Sequence, residues 1–130
     1  MFIRPNRLRF VLPAIVLFAL DVAFTLAGQP AQYWAGDRAA ANEANPLAHV
    51  LLANSPWLFA GMASAWSIVL AVVLGRWTSR NSDRLAQFIA VAHALGGGSW
   101  LWLGGPLGPG LAAGYLIVAA SFCLRAWGDR

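Results

Sequence analysis

Two carboxylates, two imidazoles and a threonine carry the chemistry this chain could do: Asp21, Thr25, Glu43, His49 and His93. Asp21 stands inside FALDVAFTLAG, residues 18–28, a stretch that otherwise reads as hydrocarbon. A bilayer-spanning helix is penalised by roughly 2.5–3.5 kcal/mol for an Asp at its centre, so such a residue is a functional candidate by default. Asp21 and Thr25 are four apart and project from one helix face, and Gln29 extends that stripe by a further turn. Glu43 and His49 follow in the next polar segment. His93 falls in the middle of a later apolar run, with Ala86, Ala90 and Gly97 on its own face.

Carboxylates and imidazoles that converge suit a divalent metal such as zinc, manganese or iron, and an open coordination position would activate water. On that reading Asp21, Glu43, His49 and His93 are the metal ligands, and Asp21 and Glu43 carry the acid–base work. The spacing Glu43-x5-His49 matches no established ligand pair. A structural alternative stands beside it. Asp21 would bond Thr25 and a neighbouring helix, His93 a carbonyl, and His49 would face water or headgroups. Glu43 would be a solvated residue near a helix start, where its charge favours the positive end of the dipole. For each histidine taken alone the structural role has the stronger claim, and for Asp21 the functional one.

The elements that must position these residues are helices in a membrane. The chain has 130 residues, 59% hydrophobic and only 11% charged, well away from the average of soluble domains. Four apolar runs, about Phe10 to Gly28, Trp57 to Gly75, Leu85 to Leu103 and Leu107 to Trp127, approach the ~20 residues that cross ~30 Å of hydrocarbon. Tryptophans 57, 77, 100, 102 and 127 fall at or near their ends, where indoles favour the interface. All nine cations are arginines, concentrated in the N-terminus, residues 76–84 and the C-terminal tail, with only Arg38 elsewhere. The positive-inside rule therefore predicts an inner-membrane protein with both termini cytoplasmic and the loop from Gln29 to Pro56 outside. The net charge of +4 belongs to this topology, and no basic stripe interleaved with aromatics points to nucleic acid.

The basic N-terminus followed by FVLPAIVLFAL resembles a signal peptide, but Asp21 would end the apolar region before any cleavage zone, and the uncleaved reading is preferred. Within the outer loop, Asn45 is a plausible N-cap and Pro46 a first-turn residue for a short apolar helix over about 46–54. Such a helix is too short to span and reads as re-entrant or interfacial. The expected fold is thus all-α: one domain, an integral membrane four-helix bundle with this extra helix between the first two spans. Gly110 and Gly114 give a small-xxx-small spacing that allows close helix contact. Glycines 96–98 would kink the third long helix or admit another backbone. Ser64, Ser67, Ser99 and Ser121 can bond back to their own helices. Cys123, the single cysteine, reads as a small buried apolar residue.

Asp21-x3-Thr25 in the first helix, followed by Glu43-x-Asn45-Pro46 before the next apolar segment, resembles the pattern of a family of small prokaryotic membrane proteins known as a domain of unknown function. The likeness covers roughly the first sixty residues, and EANPL carries most of it. It implies a compact polytopic protein in which Asp21, Thr25, Glu43 and Asn45 form one polar cluster, with Thr25 and Asn45 in a supporting or substrate-binding role. Four functions are compatible with these residues. The first is a hydrolase or transferase acting within the membrane on a lipid-soluble substrate, with a metal. The second is a proton-coupled transporter that uses Asp21, its pathway completed in a homo-oligomer. The third is a haem anchor with His49 and His93 as axial ligands, and the fourth a structural or assembly subunit.

Overall fold

The computed structural model describes residues 5–128, and it is helical throughout apart from turns and short connections. The elements are α1 (Pro5–Ala27), α2 (Ala31–Trp34), a 3₁₀ turn at Arg38–Ala40, α3 (Pro46–Asn54), α4 (Pro56–Arg76), α5 (Arg80–Trp102) and α6 (Gly108–Trp127). Three helical stretches, Arg7–Ala27, Pro56–Arg76 and Gly108–Trp127, are long and apolar enough to cross a membrane. α5 is as long, but Arg80, Asp83 and Arg84 in its first turns and Gln87, His93 and glycines 96–98 beyond them dilute its apolar character. Arg4 and Arg130, read above as part of the basic ends, lie outside the described residues.

Local sequence explains where the helices start. Asn45 accepts hydrogen bonds at Oδ1 from the Leu47 and Ala48 amides, and Pro46 occupies the first turn of α3. Ser55 does the same for α4, accepting from the Trp57 and Leu58 amides ahead of Pro56. Ser79 accepts from the Ser82 amide at the start of α5. Between α5 and α6 the chain reverses through Gly105, whose φ of +87° only glycine adopts without strain.

α1 is the hub. It packs against α4, α5 and α6, most extensively against α5, whereas α4 and α5 barely touch one another. One apolar cluster joins α1, α5 and α6 through Ala14, Leu17, Ala90, Ala94, Ala119 and Cys123. A second joins α1, α4 and α5 through Phe10, Val11, Leu70, Leu74 and Ala86. Small side chains dominate the α1–α5–α6 seam, which lets the helices approach closely, and Cys123 is the buried apolar residue its type suggested.

At one end the arginines collect, and Arg7 is more than a topological charge. It is only 5% exposed and ties three elements together. Its guanidinium donates to the carbonyls of Leu74 and Trp77, each at 2.7 Å, to the Ser82 hydroxyl and to the Asp83 carboxylate. The start of α1 is thereby fixed to the end of α4 and the start of α5. Beside it Trp127, expected at the interface, turns inward and donates from Nε1 to the Phe10 carbonyl at 3.0 Å, closing α6 onto α1.

At the other end residues 30–54 form a cap with its own core. Tyr33 is fully buried with Ala41, Leu52 and Phe59, and its hydroxyl donates to the Leu52 carbonyl at 3.0 Å. Arg38 lies over the Tyr33 ring, 4.6 Å from its centroid, and donates to the Tyr33 carbonyl. The Gly110/Gly114 spacing makes no helix contact here, for both glycines face open space on the outer side of α6. Its small face points away from α1, toward which Ala112, Ala119 and Cys123 are turned.

Candidate active site

The α1–α5 seam narrows to small residues and then opens around a carboxylate. A Cβ placed on Gly96 would lie 2.6 Å from Asp21 Oδ2, so α5 leaves at this position the volume that the carboxylate fills. Asp21 Oδ2 is 2.8 Å from His93 Nδ1, three residues earlier on α5. Phe18, one turn before Asp21, meets the His93 ring edge to face with centroids 4.6 Å apart. The imidazole is therefore held by a hydrogen bond and an aromatic contact, both supplied by α1. Beside an ionised carboxylate, a neutral imidazole donates from Nδ1 and keeps Nε2 as the free acceptor. The two side chains are 18% and 29% exposed, so the pair is sheltered and still reachable.

The pair opens onto a cavity of about 700 Å³, within the size range of small-molecule sites. α1 forms its back wall, α4 and α5 its sides, and residues 43–51 its roof. Apolar groups dominate the lining, including Phe18, Met62, Trp66 and Trp100. Trp100 stacks over Gly28, where a Cβ would meet its ring at 2.4 Å, so Gly28 and Trp100 fit each other across the α1–α5 seam.

Most of the residues singled out in the sequence meet here. Asp21, Thr25, Glu43, Asn45 and His93 all line the cavity, and Thr25 is buried. His49 does not line it. Residues 47, 48 and 51 present one face of α3 to the cavity, and position 49 turns half-buried to the side. Among the described residues no three His, Cys, Asp or Glu side chains converge as a metal-binding group. The His93 partner is the Asp21 carboxylate, where the structural alternative supposed a carbonyl.

Gln29 ends the stripe begun by Asp21 and Thr25, and its role is to hold the roof. Its amide donates to the Thr25 and Asn42 carbonyls, each at 2.9 Å, and its Oε1 accepts from the Asn42 amide at 2.8 Å. Fastening Asn42 places Glu43 above the cavity. Glu43 Oε1 then accepts from the Asn45 amide at 2.8 Å, and Asn45 caps α3. Three of the four serines behave as their spacing suggested: Ser64, Ser99 and Ser121 donate to carbonyls three or four residues back, whereas Ser67 makes no such bond. The Ser99 hydroxyl, on the cavity wall, is thus committed to the Gly96 carbonyl at 2.6 Å.

Two features were not legible beforehand. Glycines 96–98 lie within α5, which stays helical to Trp102, and the atoms nearest to where their Cβ atoms would lie belong to the side chains of Asp21 at Gly96, Tyr115 and Phe24 at Gly97, and Leu116 at Gly98. The Tyr115 hydroxyl is buried without a hydrogen-bond partner among the described residues, beside the Phe24 ring and 3.0 Å from where a Gly97 Cβ would lie. Nothing in the composition of α6 distinguishes that tyrosine. No family model, curated protein or solved structure matches the chain.

Proposed function

We propose that this is a multi-pass inner-membrane protein with both termini cytoplasmic, an interfacial α3 and four crossing helices, acting as a hydrolase or group transferase on a lipid-soluble substrate. The arginine-rich end takes the cytoplasmic side under the positive-inside rule, which puts the cavity in the outer half of the bilayer. The observation that carries the reading is the Asp21–His93 pair at 2.8 Å on the wall of a largely apolar cavity.

Its chemistry follows from the pair. His93 takes a proton at Nε2 from water or from a substrate hydroxyl, and the oxygen so activated attacks the electrophilic carbon. The imidazolium then returns the proton to the departing group. Asp21 holds the ring in the required tautomer and stabilises its cationic form, remaining ionised throughout. Water or a substrate hydroxyl is the nucleophile, because the Ser99 hydroxyl is engaged with its own helix. Glu43 and Asn45 meet the polar end of the substrate. Asp21, Thr25, Glu43 and Asn45 line this one cavity, Asp21 and Thr25 from its wall and Glu43 and Asn45 from its roof, in keeping with the single polar cluster that the resemblance implies.

The test is hydrolysis of long-chain acyl esters and amides in mixed micelles by wild type, Asp21→Asn and His93→Ala. The expected result is turnover lost in both variants and restored to His93→Ala by added imidazole. Turnover unaffected by both substitutions would refute the assignment.

A further inference from the structure

α4 and α5 are joined at one end and parted at the other. The Arg7 contacts and the Leu70, Leu74 and Ala86 cluster bind them at the arginine-rich end, where only residues 77–79 connect them. Beyond that they hardly meet, and the cavity occupies the space between them. Its rim on α4 is Met62 and Trp66, both more than half exposed, and on α5 the exposed Ser99. Trp66 sits at the middle of α4, so this opening runs from the roof down to the centre of the helix. In a bilayer such a slot faces acyl chains.

The polar groups along the slot are ordered by depth. Glu43 and Asn45 stand at the roof, Asp21 and His93 lie six to nine residues below the roof ends of α1 and α5, and apolar Met62 and Trp66 face them at about the same level on α4. The charges are one-sided: two carboxylates line the cavity, and among the described residues no arginine does. An anionic lipid headgroup at the roof would face Glu43 with no arginine to receive it, and the one imidazole of the lining, His93, is already held by Asp21. An ammonium would pair with the Glu43 carboxylate at the roof and lie against an indole face of the lining.

We infer that the cavity takes, through a lateral opening between α4 and α5, an amphiphile of the outer leaflet that has an amine head and a hydrocarbon tail. The inference rests on the proposed function and names its substrate class. The head lies beneath Glu43, the linkage to the tail reaches the Asp21–His93 level, and the tail leaves past Met62 and Trp66 into the lipid.

The experiment uses the full chain in nanodiscs of zwitterionic phospholipid. Three probes share one spin-labelled alkyl chain and end in a primary amine, an alcohol or a carboxylic acid. The readout is quenching of the Trp66 emission, taken as the difference between wild type and Trp66→Phe. Saturable quenching by the amine is expected at a bilayer mole fraction about tenfold below that of the acid. Glu43→Gln, which keeps the oxygen that accepts from Asn45, should remove most of that preference, and Ala63→Trp should abolish saturable quenching by plugging the slot. Equal quenching by amine and acid would overturn the head assignment, and no saturable quenching by any probe would overturn the lateral opening. His93→Ala should still bind the amine, so retained binding without turnover separates this inference from the catalytic reading.

Discussion

Two carboxylate pairs can be compared among the described residues, Arg7–Asp83 at the basic end and Asp21–His93 nearer the roof, and their surroundings are opposite in kind. Arg7 at the basic end is buried and surrounded: two carbonyls, a hydroxyl and a carboxylate receive its guanidinium, and the Phe10 ring lies 5.4 Å from it. Asp21 and His93 share one hydrogen bond, with an aromatic neighbour and an open cavity beyond. A cation whose donors are satisfied from three elements is a clasp. A carboxylate–imidazole pair with unspent hydrogen-bonding capacity facing a cavity suits the role of reagent proposed above. Burial alone does not separate them; the number of partners does.

Substitutions can break that contrast, and the largest effect should come from the clasp. Arg7→Ala leaves Asp83 without this partner and the Leu74 and Trp77 carbonyls without their donor, and a loss of about 4 kcal/mol is expected, read as a lower unfolding midpoint in detergent. Turnover per folded molecule should hold. At the other end the ranking reverses: His93→Ala should lower turnover about a hundredfold while the midpoint moves little. If His93→Ala unfolds the protein and Arg7→Ala does not, the two roles are wrongly assigned.

A subtler test leaves both pairs chemically intact. Gly96→Ala places a methyl where Asp21 Oδ2 now lies, and the flexible carboxylate must swing away from His93. A fall in turnover of about tenfold is expected, with the His93 ring signals in nitrogen NMR losing the pattern of a protonated Nδ1. The smallest effect should come from the roof. Asn45→Ala removes the α3 cap at a cost of about 1 kcal/mol, seen as faster amide exchange over residues 46–49, with turnover reduced only as far as Glu43 loses its place.

Why some of this was readable in the sequence and some not is a matter of range. Caps and first-turn prolines act within four residues, so Asn45–Pro46 announced α3 before any contact was known. Apolar runs announced the long helices for the same reason. Asp21 was conspicuous because hydrocarbon makes any carboxylate conspicuous, but its partner lies 72 positions away and could not be assigned. Arg7 was hidden by its neighbours: among Arg4, Arg7 and Arg9 nothing local says which one turns inward, since its ligands come from residues 74–83. The Gly110/Gly114 spacing misled because small residues license a close approach without naming a partner. Glycines 96–98 were underestimated, since a missing Cβ says nothing of whether a backbone, a ring or a carboxylate will fill the space.

The position of α1 has a consequence for how the chain is made. It touches α4, α5 and α6, yet it leaves the ribosome before any of them. In the membrane topology proposed above, its aspartate enters the lipid before the histidine that answers it has been synthesised, and during that interval nothing of α5 shields the carboxylate. The nascent helix is then a poor resident of the bilayer, and its lasting insertion is decided late, when α5 arrives. A ribosome-stalled chain ending before His93 should therefore anchor α1 less firmly than one that ends after Trp102, a difference that glycosylation mapping of the outer loop would register.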